Sequence, residues 1–271
     1  MTKPVSEWTN PDKIRAKKLF ESSKMRAVIR GLIEQERGTI LVDSIEDPKV
    51  AMWSYSIMSS AVGDSSTEAA RYLIEEFPYL HLLNVPDKNW ESLVRKTWGE
   101  DIYAMPRTTL SAEALDIDHL RRLKKTLPEG FTLQKVDREA LSNLAEKTMG
   151  FHIPQYFGSP EEFIKYGFGF CIKHGKRAVS MASTYTPYDD EIEIEIDTFD
   201  SPEYRRRGLA TVAGAALIEY ALENGLTPNW DAQTSISVEL AKKLGYINPV
   251  PYEAFFRVKE GDIEKLRAAL A

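Results

Sequence analysis

The sequence predicts an α/β fold: a compact α/β unit in the second half of the chain, with a further α/β lobe ahead of it. Three observations carry this. Residues 191–198 read Glu-Ile-Glu-Ile-Glu-Ile-Asp-Thr, a period of two that puts every isoleucine on one face of a strand and every carboxylate on the other. Residues 209–224 place Leu209, Val212, Ala213, Ala216, Leu217, Tyr220 and Ala221 on one helical face, and Gly225 stops that helix. The first half also alternates helical and strand-like segments.

In chain order, Met25, Val28, Ile29, Leu32 and Ile33 share one helical face. Residues 39–43 and 50–58 read as strands, 67–76 as a helix and 81–85 as a short buried strand. A helix over 90–98, a strand over 102–110 and a connecting helix over 117–127 complete the first half. Trp53, Tyr55, Trp90 and Trp98 are expected to pack in its core rather than line a contact surface. Pro128-Glu129-Gly130 is the boundary turn, which divides the chain into 1–127 and 128–271.

In the second half, 131–136 reads as a strand, and Asp137 caps a helix running to about Met149. Residues 150–159 are rich in aromatics, with His152 expected to be a packing or surface residue. A hairpin over 168–173 and 177–185 turns at His174-Gly175-Lys176. The strand 191–198 and helix 209–224 follow, then a strand around Trp230-Asp231-Ala232 and a helix ending at Tyr246. A late strand over 252–258 and a terminal helix over 262–270 close the chain.

The turn between strand 191–198 and helix 209–224 carries Arg205, Arg206, Arg207 and Gly208. Unpaired N–H groups at a helix start carry partial positive charge, and a glycine there lets an anion approach the backbone. Such a turn can hold a pyrophosphate, and the arginines add charge to meet it. The carboxylate face of the strand has two readings: a solvated sheet face, or a cleft that receives an amine and holds a general base. Its position beside the turn favours the cleft.

Strand, then Arg205-x-x-Gly208-x-Ala210, then helix resembles the coenzyme A motif of the GNAT superfamily of N-acetyltransferases, with Pro202-Glu203-Tyr204 leading into it. Trp230-Asp231-Ala232 and the run Ser237 to Tyr246, with Lys243-Leu244-Gly245-Tyr246 at its end, resemble the family's second motif. The likeness is nearest to the subgroup that includes the zwittermicin-resistance acetyltransferase, which also carries an extra N-terminal region. It implies a mixed, mostly antiparallel central sheet flanked by helices, and acetyl-coenzyme A as co-substrate. It implies that the loop Arg205, Arg206, Arg207, Gly208, Leu209 and Ala210 holds the pyrophosphate. It places pantetheine contacts near Asp197, Thr198 and Phe199, and further cofactor contacts at Thr234 and Ser237. It makes Glu193 and Glu195 the candidates for general base.

The chain departs from the pattern at three places. Phe199-Asp200-Ser201 makes the turn about one residue longer, Thr234 stands where many members have Asn, and Ala241 stands where many have a general-acid Tyr. Tyr246 and Tyr252 could replace that acid but are read as packing residues. The first half has no Arg-x-x-Gly-x-Ala, so no second cofactor is expected there; it would cover the acceptor site or form a homodimer.

With 43% apolar residues the chain can build a real core. One cysteine allows no internal disulfide, and Cys171 sits in an apolar run that reads as core. Four scattered histidines without a Cys pair give no metal motif. No apolar run is long enough to cross a bilayer, and residues 1–10 are too polar for a signal peptide, so a cytoplasmic protein without membrane partners is expected. A net charge of −6 argues against nucleic-acid binding. The expected function is acetyl transfer to a primary amine of a small molecule; the alternative is a non-catalytic acyl-coenzyme A-binding regulator.

Overall fold

The computed structural model describes residues 3–146, 149–259, 261–264 and 266. Its elements are β1 (Ser6–Glu7), α1 (Lys13–Leu19), α2 (Arg26–Glu34), β2 (Thr39–Val42), β3 (Val50–Tyr55), β4 (Met58–Gly63), α3 (Glu68–Glu75), β5 (Leu82–Asn84), α4 (Lys88–Trp98), β6 (Ile102–Ser111) and α5 (Ile117–Lys124). They continue with β7 (Phe131–Lys135), α6 (Arg138–Ser142), a π-helical turn (Ile153–Phe157), α7 (Pro160–Tyr166), β8 (Gly169–His174), β9 (Arg177–Thr184), β10 (Glu191–Thr198), α8 (Leu209–Glu223), β11 (Thr227–Ala232), α9 (Ser235–Leu244) and β12 (Ile247–Arg257). The fold is the mixed, mostly antiparallel α/β architecture that the sequence implies.

The chain forms two compact units, Met1–Arg107 with Pro251–Ala271, and Thr108–Val250. The second therefore begins before the Pro128 turn, at which the sequence reading divides the chain. The reason is that α5 belongs to it: Arg121 on α5 bonds Glu219 (2.9 Å) and Glu223 (2.8 Å) on α8, and Lys124 also pairs with Glu219. Burial opposes ionisation of Glu219, but Lys124 and Arg121 outweigh it and hold its carboxyl below the usual range. This pair stabilises the fold above the unfolded-state pKa and is lost as pH falls through the lower folded value. Glu219→Gln should thus cost about 1 kcal/mol at neutral pH, between an exposed and a buried pair. The deficit should vanish in acid denaturation midpoints.

In the second unit β7, β8, β9 and β10 pair antiparallel in sequence order. β11 then joins β10 in parallel, after the crossover through α8, and the end of β6 pairs antiparallel with β11 at Trp230↔Leu110. The first unit follows the same plan. β1 to β4 are antiparallel, β5 joins β4 in parallel after α3, and β12 pairs antiparallel with β5 at Phe255↔Leu83. The closing strand of each unit comes from elsewhere in the chain. β6 follows α4 but ends in the second unit, and β12 follows α9 but ends in the first.

The first unit's core gathers Trp90, Trp98, Phe77, Leu83 and Phe255. The indole N–H groups of Trp90 and Trp98 donate to the carbonyls of Gly63 and Ile74, both at 2.8 Å, so these rings are core residues with their polar edge satisfied. Trp90→Ala should cost about 3–5 kcal/mol, measured as a denaturant midpoint.

Several elements differ from the sequence reading. The predicted strand 50–58 is two strands joined by a hairpin at Ser56, whose φ is 53°. The helix from Asp137 ends at Ser142 instead of Met149, and Leu144 instead bridges to Ala178 on β9. Residues 147–148 lie outside the described residues. A separate helix, α7, starts at the N-cap Ser159, and β12 starts at Ile247 rather than 252. Much of the predicted terminal helix 262–270 lies outside the described residues.

Candidate active site

β10 is the centre of the site. Its β-branched isoleucines and its alternation give the strand the sequence dictates, and Ile192, Ile194 and Ile196 pack with the apolar face of α8. Glu191, Glu193, Glu195 and Asp197 share the opposite face by strand period. The cross-strand partners of Glu195 and Asp197 on β9 are Ser183 and Met181.

The parallel ladder between β10 and β11 stops at Glu193↔Asn229, although both strands continue. At the start of the ladder the Thr227 N–H donates to the Asp190 carbonyl (3.1 Å). The first β11 donor beyond the last pair, the Asp231 N–H, reaches the Glu193 carboxylate instead of the β10 backbone, at 3.1 Å. Asn229 adds its side-chain amide to Glu191 (3.0 Å) and to the Ile192 carbonyl (3.2 Å). The strands have splayed, and the Glu193 side chain fills the first gap.

Toward β9, the Tyr185 N–H donates to the Glu193 carbonyl (2.8 Å) and the Phe199 N–H to the Val179 carbonyl (2.9 Å). Backbone groups of odd-numbered residues on β10 thus point to β9, and those of even-numbered residues point to the β11 side. The last ladder pair uses the Ile194 N–H, so the groups directed to the side where the ladder has ended are the Ile194 C=O and the N–H and C=O of Ile196 and Thr198. Of the sequence candidates for the pantetheine arm, Thr198 has this orientation, whereas Asp197 and Phe199 present their backbone to β9.

At the end of β10 the chain turns through Ser201, whose carbonyl accepts from the N–H groups of Tyr204 (2.9 Å) and Arg205 (3.0 Å). The longer turn brings Asp200 to Arg205, Oδ1 to Nε at 2.6 Å. Tyr204 is buried against Phe131 and Phe199 and anchors the loop. Arg207 lies over the Phe131 ring, 4.9 Å from its centroid. Gly208 is the N-cap of α8 in the left-handed region, φ 78°, with no side chain to cap the helix and open space in front of its Cα. The first turn of α8 has no acidic residue, so its N–H groups at Leu209 and Ala210 present an uncompensated positive end.

The equivalent junction in the first unit, between β4 and α3, is filled by its own side chains. Asp64 accepts from the Ser66 N–H and hydroxyl, Thr67 caps α3 through the Ala70 N–H, and Glu68 sits in the first turn.

Residues 149–157 lie on the carboxylate face, as their two anchors on it show. The Gly150 N–H donates to Asp197 (3.1 Å), and His152 Nε2 meets Ser183 Oγ at 3.0 Å. Gly150 has φ 70° and a would-be Cβ only 3.1 Å from Met181 Cε, so only glycine fits. Burial pushes the Asp197 carboxyl up against the pull of the Gly150 N–H, and Glu146 adds to the rise. His152 is fully buried, stacks on Tyr185 at 5.8 Å, and is pushed down to about 3 mainly by burial. The Tyr185 hydroxyl donates to that of Tyr156 at 3.1 Å. Since His152 is neutral when folded and protonated below about 6.5 when unfolded, it contributes stability that is lost as pH falls from there toward 3. The loss should approach about 1.4 kcal/mol per pH unit, and His152→Phe should remove that slope in acid unfolding curves.

The second motif meets the splay through the Asp231 N–H and packs around it. Thr234 caps α9 through the Ser237 N–H (3.2 Å), and Ser237 Oγ accepts from the Trp230 indole (3.1 Å). Ala241 is buried with Ile218, Trp230 and Leu244. Tyr246 is buried and donates to the Pro228 carbonyl at 3.0 Å; burial, with Glu193 adding, pushes its hydroxyl well above the usual range. Tyr252 belongs to the first unit. Cys171 is buried and its thiol is pushed up to about 11, mainly by burial. Among the described residues no group of three or more His, Cys, Asp or Glu is placed to hold a metal ion, and no helix is long and apolar enough to cross a membrane.

Comparison with known proteins gives the family and the fold. The model of a family described as GNAT acetyltransferase matches residues 17–255. YdfB of Bacillus subtilis (strain 168), an uncharacterized N-acetyltransferase, is 29% identical over 171 residues; the match spans 62% of this chain and 62% of that relative. A GCN5-related N-acetyltransferase-like protein from Streptococcus suis 89/1591 has a crystal structure with a TM-score of 0.73 at 30% identity, covering 90% of this chain and 97% of that one. A GCN5-related N-acetyltransferase from Kribbella flavida shares the fold at 14% identity, with a TM-score of 0.57 over 95% of this chain and 99% of its own.

Proposed function

The chain belongs to the GNAT acetyltransferase family, and from that premise we propose that it moves an acetyl group from acetyl-coenzyme A to a primary amine of a small molecule. The observation that carries the proposal is the splay of β10 from β11 directly ahead of the uncapped N-terminus of α8. The residues fit the co-substrate. The loop from Arg205 to Ala210 offers N–H groups and positive charge to a pyrophosphate. The open backbone of Ile196 and Thr198, with the Ile194 C=O, suits an amide-bearing arm that pairs as an added strand would.

The thioester is already activated, so the chain's task is alignment and proton handling. The acceptor arrives as an ammonium, and a water chain ending on Glu195 or Glu193 takes its proton. The neutral nitrogen attacks the carbonyl carbon. The oxyanion that forms is met by an N–H on the open edge of β10, with Ile196, next to Glu195, the first beyond the ladder. The C–S bond then breaks, and the thiolate takes a proton from solvent. Ala241 has no proton to give, and Tyr246 is committed to Pro228 and held protonated by burial. The burial and raised pKa of Cys171 oppose an acyl-enzyme, which supports direct transfer. Tyr246→Phe should accordingly change kcat by less than about threefold while costing about 1–2 kcal/mol for the unsatisfied Pro228 carbonyl.

The second reading, a non-catalytic acyl-coenzyme A-binding regulator, is favoured by Ala241 alone. Calorimetric titration with acetyl-coenzyme A, followed by thiol release across an amine panel, separates the two. Binding with amine-dependent release establishes the transferase and its acceptor class. Binding with no release favours the regulator, and no binding sinks both. Likeness to the zwittermicin-resistance subgroup makes aminated antibiotics worth including in the panel beside polyamines and amino acids.

A further inference from the structure

We infer that His152, acting through Ser183, is a positioning residue that sets the orientation of Glu195 on the carboxylate face; the inference rests on the acetyl-transfer reading above. Ser183 is the direct cross-strand partner of Glu195. Such partners point to the same face with their Cβ atoms about 4.5–5.5 Å apart. Ser183 Oγ is also 3.0 Å from His152 Nε2, so one hydroxyl stands between a buried imidazole and the neighbourhood of the candidate base.

The imidazole is unusually well fixed. It is fully buried, stacked on Tyr185 with an interplanar angle of 28°, and met edge-on by Phe151 at 5.8 Å. A buried polar ring costs free energy unless its bonds are made, so an apolar ring would serve a purely packing role better. Held neutral by burial, the ring has one donor and one acceptor nitrogen at any working pH. When Nε2–H donates to Ser183 Oγ, the serine hydroxyl hydrogen is left to point across the strand pair toward Glu195. A carboxylate so met has a preferred rotamer and a lowered pKa. The adjacent Gly150 bond to Asp197 holds the same segment on the sheet, so His152 cannot drift from Ser183.

The test uses the full chain and three variants: Ser183→Ala, His152→Phe, and both together. The expected result for each single variant is a kcat about 10–100-fold below wild type, the scale of a misplaced catalytic group. The KM for acetyl-coenzyme A should stay within about twofold, as the pyrophosphate loop is untouched. The acid limb of the pH–kcat profile should move to higher pH, because Glu195 loses a donor. The double variant should be no slower than the slower single one, since both changes break one chain of contacts. A Ser183→Ala enzyme with wild-type kcat and an unmoved acid limb overturns the inference, even if His152→Phe fails to fold. Single losses that multiply in the double variant overturn it as well. If the wild type releases no thiol with any amine, the acetyl-transfer reading itself has failed, a result distinct from either of these.

Discussion

Replacing Glu193 and Glu195 together by Gln should lower kcat by about 10²–10⁴-fold, the range expected for loss of a general base, while acetyl-coenzyme A still binds. The two positions differ. Glu193 accepts the Asp231 N–H where the ladder with β11 has ended, and a Gln oxygen can take the same bond. Glu193→Gln should therefore preserve the splay and show the smaller loss. Glu195 faces Ser183 across the strand pair and should account for most of the effect. Calorimetry with acetyl-coenzyme A and thiol release with the best amine would be measured on the same preparations. Wild-type turnover in the double variant would remove both glutamates as base and leave solvent as the proton acceptor.

Gly208→Val should weaken acetyl-coenzyme A binding by about 10–100-fold, or about 1.4–2.8 kcal/mol. Two costs combine. A β-branched residue is poorly tolerated at φ 78°, which removes about 1–2 kcal/mol of stability. The new side chain also projects into open space in front of the helix end, where a phosphate must come within hydrogen-bond distance of backbone N–H groups. Thermal unfolding without ligand measures the first cost, and titration of the folded protein measures the second. A variant with reduced stability but unchanged affinity would mean that the pyrophosphate binds elsewhere. Arg205→Ala is a weaker probe, since that arginine is already paired with Asp200 on an exposed turn.

The centre of the site was legible because its signals are local. The alternation of residues 191–198 fixes both the strand and its two faces, and Arg205, Gly208 and Ala210 mark the helix start within six residues. What was not legible depends on partners far away in the chain. Nothing around His152 announces Ser183, 31 residues on, and so a fully buried imidazole looks like any aromatic-loop histidine. The end of the β10–β11 ladder, and with it the division between Ile194, Ile196 and Thr198 and their odd-numbered neighbours, appears only once register is known. The β3–β4 hairpin reads as one strand in sequence because Ser56 adopts positive φ without the glycine or asparagine that usually signals it. α7 is too short for a clear helical period, although Ser159 and Pro160 do carry a helix-start signal.

The exchanged closing strands give the chain an order of assembly. Leu82 and Leu83 of β5 emerge from the ribosome long before Phe255 and Phe256 of β12, their antiparallel partners, and the whole second unit is made in between. During that interval the first unit has an unfilled strand position, with apolar β5 as a raw edge open to mispairing. The second unit does not wait in this way, since its borrowed strand, β6, is already synthesised when β11 appears. The half with the candidate active site can thus reach its final pairing first. The half without it is completed last, and a chain stopped at Val250 would leave β5 and the outer edge of β6 without the strand that lies between them.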